Sequence, residues 1–128
     1  MNIGLLEDNP AVGEYMTTAL GMFEHTVSTH TTGDSLLKVL SPATEKHLLP
    51  YDLVIVDLNL PGSISGEEML TILHANAVTK KLPILIVSGT HKSELDRVST
   101  RFPSIPILRK PFKLQDLVQY IDNYGRKL

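Results

Sequence analysis

Four short stretches of this chain, residues 3–6, 53–56, 84–87 and 105–108, are apolar throughout and do not alternate with polar residues. A strand that is apolar on both sides must be covered on both sides, and the arrangement that does so is a parallel sheet with helices above and below. A fifth, weaker stretch, residues 25–31, alternates polar residues with Val27 and is rich in threonine, which predicts an edge strand. Pro106 interrupts the last apolar run, and a proline cannot donate to a ladder, so that run should form the opposite edge.

Between these stretches the apolar residues recur at helical spacing: Val12, Met16, Ala19 and Leu20; Leu36, Leu37 and Leu40; Met69, Ile72 and Leu73; Leu95, Val98 and Phe102; Leu114, Leu117, Val118 and Ile121. Asn9 before Pro10 predicts an N-cap with proline in the first turn, and Ser65 with Glu68 predicts a capping box. Gly125, followed by Arg126 and Lys127, suits the end of the last helix. Alternating strands and helices with right-handed crossovers, and the second and fifth strands outermost, give a three-layer, doubly wound α/β fold. Its five-stranded parallel sheet has the order 2-1-3-4-5. Residues 1–128 are expected to form one domain, because no repeat or shift in composition divides them and the one long connection, residues 41–51, is too short for a linker.

Composition narrows the chemistry. With no cysteine, disulfide frameworks, thiolate metal sites and thiol nucleophiles are excluded. A net charge of −2 gives no reason to expect nucleic acid as a direct partner. No apolar run approaches the roughly 20 residues needed to span a bilayer, and no secretory pattern opens the chain, so the expected location is the cytoplasm. The five histidines show no metal-ligand spacing and are expected on the solvated surface.

In an open α/β sheet the ligand site lies beyond the carboxyl ends of the strands. There the first strand ends in Glu7 and Asp8, the third in Asp57, the fourth in Ser88 with Gly89 and Thr90, and the fifth in Arg109, Lys110 and Pro111. Arg109 is left out of the site because alternation along its strand turns it to the opposite face from Lys110. Three carboxylates in one cleft repel one another and call for a cation, and oxygen donors with room for water favour Mg2+. An aspartate beside such an ion can attack phosphorus, while the metal, Lys110 and a hydroxyl stabilise the transferred oxygens. Asp57 is the carboxylate centrally placed for that role.

These residues, together with Val-Asp-Leu-Asn-Leu-Pro-Gly around Asp57, Ser88-Gly and Lys110-Pro111-Phe112, resemble the receiver domain of two-component response regulators over essentially the entire chain. The resemblance implies a flavodoxin-like receiver fold in which Asp57 accepts a phosphoryl group from a sensor histidine kinase or a phosphotransfer protein. It also implies that Glu7, Asp8, Asp57 and the backbone carbonyl of Asn59 hold Mg2+, that Ser88 is the switch hydroxyl, and that Lys110 binds phosphate through a segment whose Lys110-Pro111 bond is cis. The implied output is a shift of the face formed by the fourth helix, fifth strand and fifth helix, read by a downstream effector or a fused output domain. A homodimer through that face is compatible with the resemblance. Such a domain catalyses only its own phosphotransfer and dephosphorylation and is not otherwise an enzyme.

Two departures stand out. Ile107 occupies the position where the family usually carries an aromatic ring, and the loop of residues 61–66 is one residue longer than usual and should bulge. Both leave a degenerate receiver, acting as a constitutive interaction module, as an alternative. An aspartyl-phosphate phosphatase is weakened because Asn59 stands where such enzymes carry a second aspartate. A flavodoxin-like cofactor binder is weakened because Glu7, Asp8 and Pro10 follow the first strand where a phosphate would need amides.

Overall fold

The computed structural model describes residues 1–40, 49–60, 62 and 64–125. Its elements alternate as expected: β1 (Asn2–Leu6), α1 (Pro10–Gly21), β2 (Thr26–His30), α2 (Gly33–Leu40), β3 (Leu53–Val56), α3 (Gly66–Ala75), β4 (Ile84–Ser88), α4 (Lys92–Arg101), β5 (Ile107–Arg109) and α5 (Leu114–Gly125), with one 3-10 turn at Thr79–Lys81. All neighbouring strands are parallel, in the order β2-β1-β3-β4-β5. Among the described residues no helix is long and apolar enough to cross a membrane.

The uninterrupted apolar runs are explained by the two cores they serve. Ile3, Leu5, Leu53, Ile55, Leu85 and Val87 pack with Met16 and Leu20 of α1 and with Leu117 and Ile121 of α5. The intervening Leu6, Val54, Val56, Ile84 and Ile86 pack on the other face with residues of α2, α3 and α4. Period-two alternation is therefore present but hidden, because both faces are dry.

Local signals held where their chemistry is specific. Asn9 Oδ1 accepts from the amides of Ala11 and Val12, at 2.9 and 3.3 Å, ahead of Pro10. Ser65 Oγ accepts from the Glu68 amide at 3.1 Å and Glu68 Oε1 accepts from the Ser65 amide at 3.4 Å, closing the capping box. The Lys110-Pro111 bond is cis.

Several expectations need correction. The last strand begins at Ile107, not Ile105: Pro106 has no amide to pair, and its carbonyl accepts from Ile86 N at 3.0 Å just before β5 begins. The strand still lies at the sheet edge. Phe102 caps α4 and does not continue it. His30 is buried and not solvated, its Nδ1 2.8 Å from Ser35 Oγ and its Nε2 2.7 Å from Tyr51 Oη. Tyr51 reaches it by lying across Gly4, where a Cβ would come within 2.6 Å of the ring. His74 packs edge-on against Phe102 at 5.3 Å between ring centroids. His47, most of the connection after α2, Pro61, Ser63, Arg126 and Lys127 lie outside the described residues; Gly62, inside the loop expected to bulge, has a φ of 100°.

Candidate functional site

Register brings the strand ends to one level. Leu6 pairs with Val56, and Val56 with Ile86. Hydrogen bonding then continues one step past the strands: Glu7 N donates to His30 O at 3.0 Å, Asp57 N to Leu6 O at 3.0 Å, and Lys110 N to Ser88 O at 2.8 Å. The backbone amides of three predicted site residues are thus fixed by the sheet itself, and their side chains gather above its carboxyl edge.

At the centre, Lys110 Nζ donates to Glu7 Oε1 at 2.6 Å and to Asp57 Oδ2 at 3.1 Å. The second oxygen of Asp57, Oδ1, accepts from the Asn59 amide at 3.0 Å. Both oxygens of this carboxylate are therefore held, which fixes its plane. Glu7 and Asp57 are buried, whereas Asp8 is exposed at the rim. One carboxylate oxygen from each of Glu7, Asp8 and Asp57 lies within 4.8 Å of the others.

Burial pushes the Glu7 carboxyl above its ordinary range, and the neighbouring Asp57 adds to that effect against the opposing pull of Lys110. For Lys110, burial disfavours the ammonium, but hydrogen bonds from it to Glu7 and Asp57, with their charges, outweigh that cost and raise its pKa. Three carboxylates and one ammonium leave two uncompensated negative charges, the complement of a divalent cation. Oxygen-only donors on a partly open rim fit Mg2+, which keeps several waters, better than a softer metal.

The remaining predicted residues stand around this cup. Ser88 ends β4, fully buried, and its Oγ accepts from the Thr90 amide at 3.2 Å. Asn59 contributes its amide to Asp57. Ile107 is partly buried against the core on the α2, α3 and α4 face. Thr90 stands at the strand end where the sequence places it, but its link to Glu94 was not foreseen: Thr90 Oγ1 donates to Glu94 Oε2 at 2.6 Å, tying the loop after Ser88 to the first turn of α4. The available signal was the hydroxyl two residues after Ser88 with an acid four residues further on, a spacing too common to single out.

Gly66 sits where β3 hands over to α3. A Cβ there would lie 2.4 Å from the Asp57 carbonyl oxygen and 2.5 Å from Leu58 Cα, so only glycine lets the first turn of α3 rest directly on the segment that carries Asp57.

Comparison with known proteins gives a consistent picture. The family model described as the response regulator receiver domain matches residues 3–122. The transcriptional regulatory protein MalR of Bacillus subtilis is 26% identical over 127 residues, covering 99% of this chain and 51% of MalR. The cell cycle response regulator CtrA of Brucella ovis is 31% identical, with coverage of 99% of this chain and 51% of CtrA. The chain thus spans about half the length of the curated relatives it matches. Among solved structures, the receiver domain of the sensor histidine kinase PA1611 from Pseudomonas aeruginosa, with a magnesium ion coordinated in its active site cleft, superposes with a TM-score of 0.79. That match is at 21% identity over 96% of this chain and 95% of that one.

Proposed function

Because this chain belongs to the response regulator receiver domain family, we propose that it is a phosphoacceptor in which Asp57 takes a phosphoryl group from a phosphohistidine on a sensor histidine kinase or phosphotransfer protein. The observation that carries this reading is the single ammonium of Lys110 bonded at once to Glu7 and to Asp57. It places a positive charge beside the buried aspartate of an acidic cup.

In the proposed transfer, an oxygen of the Asp57 carboxylate attacks phosphorus, the new O–P bond forms in line with the breaking P–N bond, and the electron pair of that bond returns to the donor imidazole. Lys110 follows the charge, exchanging a carboxylate contact for a phosphoryl oxygen. Ser88 offers its hydroxyl proton to another phosphoryl oxygen, its lone pair being engaged by the Thr90 amide. Glu7, Asp8, Asp57 and the Asn59 carbonyl would hold Mg2+, which when bound neutralises charge on the transferring group. Water attack on the acyl phosphate releases inorganic phosphate and restores the carboxylate, so the chain is consumed and regenerated without turning over a separate substrate.

The loop after β4 and the face of α4, β5 and α5 would carry the change to an effector or fused output domain. Residues 1–128 act as one receiver domain in this reading, in the cytoplasm with its phosphodonor.

The test is to titrate the wild-type protein and Asp57→Asn with beryllofluoride in Mg2+ and follow the amide resonances of residues 57–59 and 88–90. The reading requires a saturable, metal-dependent shift in the wild type alone. A wild type that ignores the ligand turns the reading towards a constitutive interaction module.

A further inference from the structure

Glu67, in the first turn of α3, is held by two arginines of α4. Arg97 grips it as a fork, with Nη1 on Oε1 at 2.7 Å and Nη2 on Oε2 at 2.9 Å. Arg101 places Nη1 on the same Oε1 at 3.0 Å and Nη2 on Thr71 Oγ1 at 2.9 Å, with its guanidinium 5.1 Å from the centroid of the Phe102 ring. A lone exposed ion pair contributes little, but the Arg97 fork, with Arg101 bonding the same Oε1 and Thr71 beside it, fixes direction as well as distance. The Glu67 side chain is only 21% exposed between arginines that are 56% and 50% exposed, so the carboxylate is the sheltered hub of the clamp.

The clamp belongs to a closed circuit of contacts. At one end, Glu67 follows Gly66, which rests on the backbone of Asp57 and Leu58. At the other end, α4 presents Glu94, whose Oε1 lies 4.0 Å from Arg97 Nη2 and whose Oε2 accepts from Thr90 Oγ1 at 2.6 Å. Thr90 N in turn donates to Ser88 Oγ at 3.2 Å. The acceptor and the buried hydroxyl are thus joined twice: directly through the sheet, and around the outside through α3 and α4.

Resting on the reading of Asp57 as phosphoacceptor, we infer that Glu67 is a positioning residue for phosphoryl capture: by clamping α4 to α3 through Arg97 and Arg101 it sets, through Glu94 and Thr90, where the Ser88 hydroxyl stands relative to Asp57. Binding at Asp57 and closure of the clamp are then coupled, and each strengthens the other.

The experiment is a mutant cycle with two readouts. Glu67→Gln, the pair Arg97→Ala with Arg101→Ala, and the triple variant are compared by the amide positions of Ser88, Gly89 and Thr90 in metal-free protein and by half-saturating beryllofluoride in Mg2+. Glu67→Gln should displace those three amides and raise half-saturation about threefold, within what a bidentate surface pair can transmit. The arginine pair should match it and the triple variant should add nothing further. Unchanged amides with unchanged affinity, tighter beryllofluoride binding, or additive losses in the triple variant would each overturn the inference. Should Glu67→Gln fail to fold, Arg97→Gln, at an exposed position, carries the same comparison. A wild type that takes up no beryllofluoride overturns the underlying reading instead, and the metal-free amide shifts still show whether the mechanical link exists.

Discussion

Replacing Lys110 by methionine keeps most of the side-chain volume and removes the ammonium from between Glu7 and Asp57. At the observed 2.6 and 3.1 Å, two unit-charge contacts correspond to gross attractions of about 6 and about 5 kcal/mol at an effective dielectric of about 20. Most of that offsets the desolvation of the three groups. The two carboxylates are almost fully covered, with side chains 2% and 8% exposed, but the lysine is 24% exposed, so water can partly replace it. Removing one partner of a buried pair costs about 3 to 5 kcal/mol, and the lysine's partial exposure brings the expected loss to about 2 kcal/mol. Urea unfolding in EDTA at neutral pH should show it. The same substitution leaves three negative charges in the cup where two were uncompensated before, so Mg2+ should bind Lys110→Met on the order of tenfold more tightly, equivalent to about 1.4 kcal/mol, and recover part of the lost stability. Beryllofluoride should nevertheless bind less well, because a donor to the phosphoryl oxygens is gone. A variant as stable as the wild type in EDTA, with no gain in Mg2+ affinity, would refute the electrostatic account of the cup.

Two further outcomes follow from single contacts. Gly66→Ala should lower stability by about 2 kcal/mol in urea unfolding, because its Cβ would meet backbone at 2.4 Å that cannot swing aside, and it should weaken beryllofluoride binding by disturbing the Asp57 segment; a neutral substitution would contradict the contact. The hydrogen bond from Arg97, opposed by slight burial and joined by Arg101, holds the Glu67 carboxyl below its ordinary 4.5, so the clamp's contribution is complete above pH 4.5 and is lost as pH falls through the lower folded-state value. The stability difference between wild type and Glu67→Gln should accordingly be level from neutral pH down to about 5 and close below 4.5; a difference that persists in stronger acid would locate the effect elsewhere.

The sheet could be read from the sequence because its cause is additive: each apolar run reports its own burial, and Pro106 and the threonine-rich stretch mark the two edges independently. The site could be read because topology alone brings strand ends together, so Glu7, Asp57 and Lys110 needed only the correct strand order to meet. What escaped depends on side chains from elements whose mutual placement no local pattern encodes. His30 shares a face with Leu6, its partner in register, and not with Val27, so it turns inward beneath α2; only the register reveals this. Its partner Tyr51 approaches through the space left by Gly4, a residue far away in sequence. The clamp on Glu67 likewise joins the first turn of one helix to the middle and end of another. The spacing of Arg97 and Arg101 puts both on one side of α4, but nothing in it names the carboxylate they meet.

The most direct test of the account is to locate the phosphoryl group itself. The protein is treated with an acyl-phosphate donor in Mg2+, the product is reduced with borohydride, which converts an aspartyl phosphate to homoserine, and the peptides are mapped. The account predicts homoserine at position 57, dependent on Mg2+ and on phosphodonor and lost in Asp57→Asn. Modification at Glu7 or Asp8, or none at any carboxylate, would contradict it.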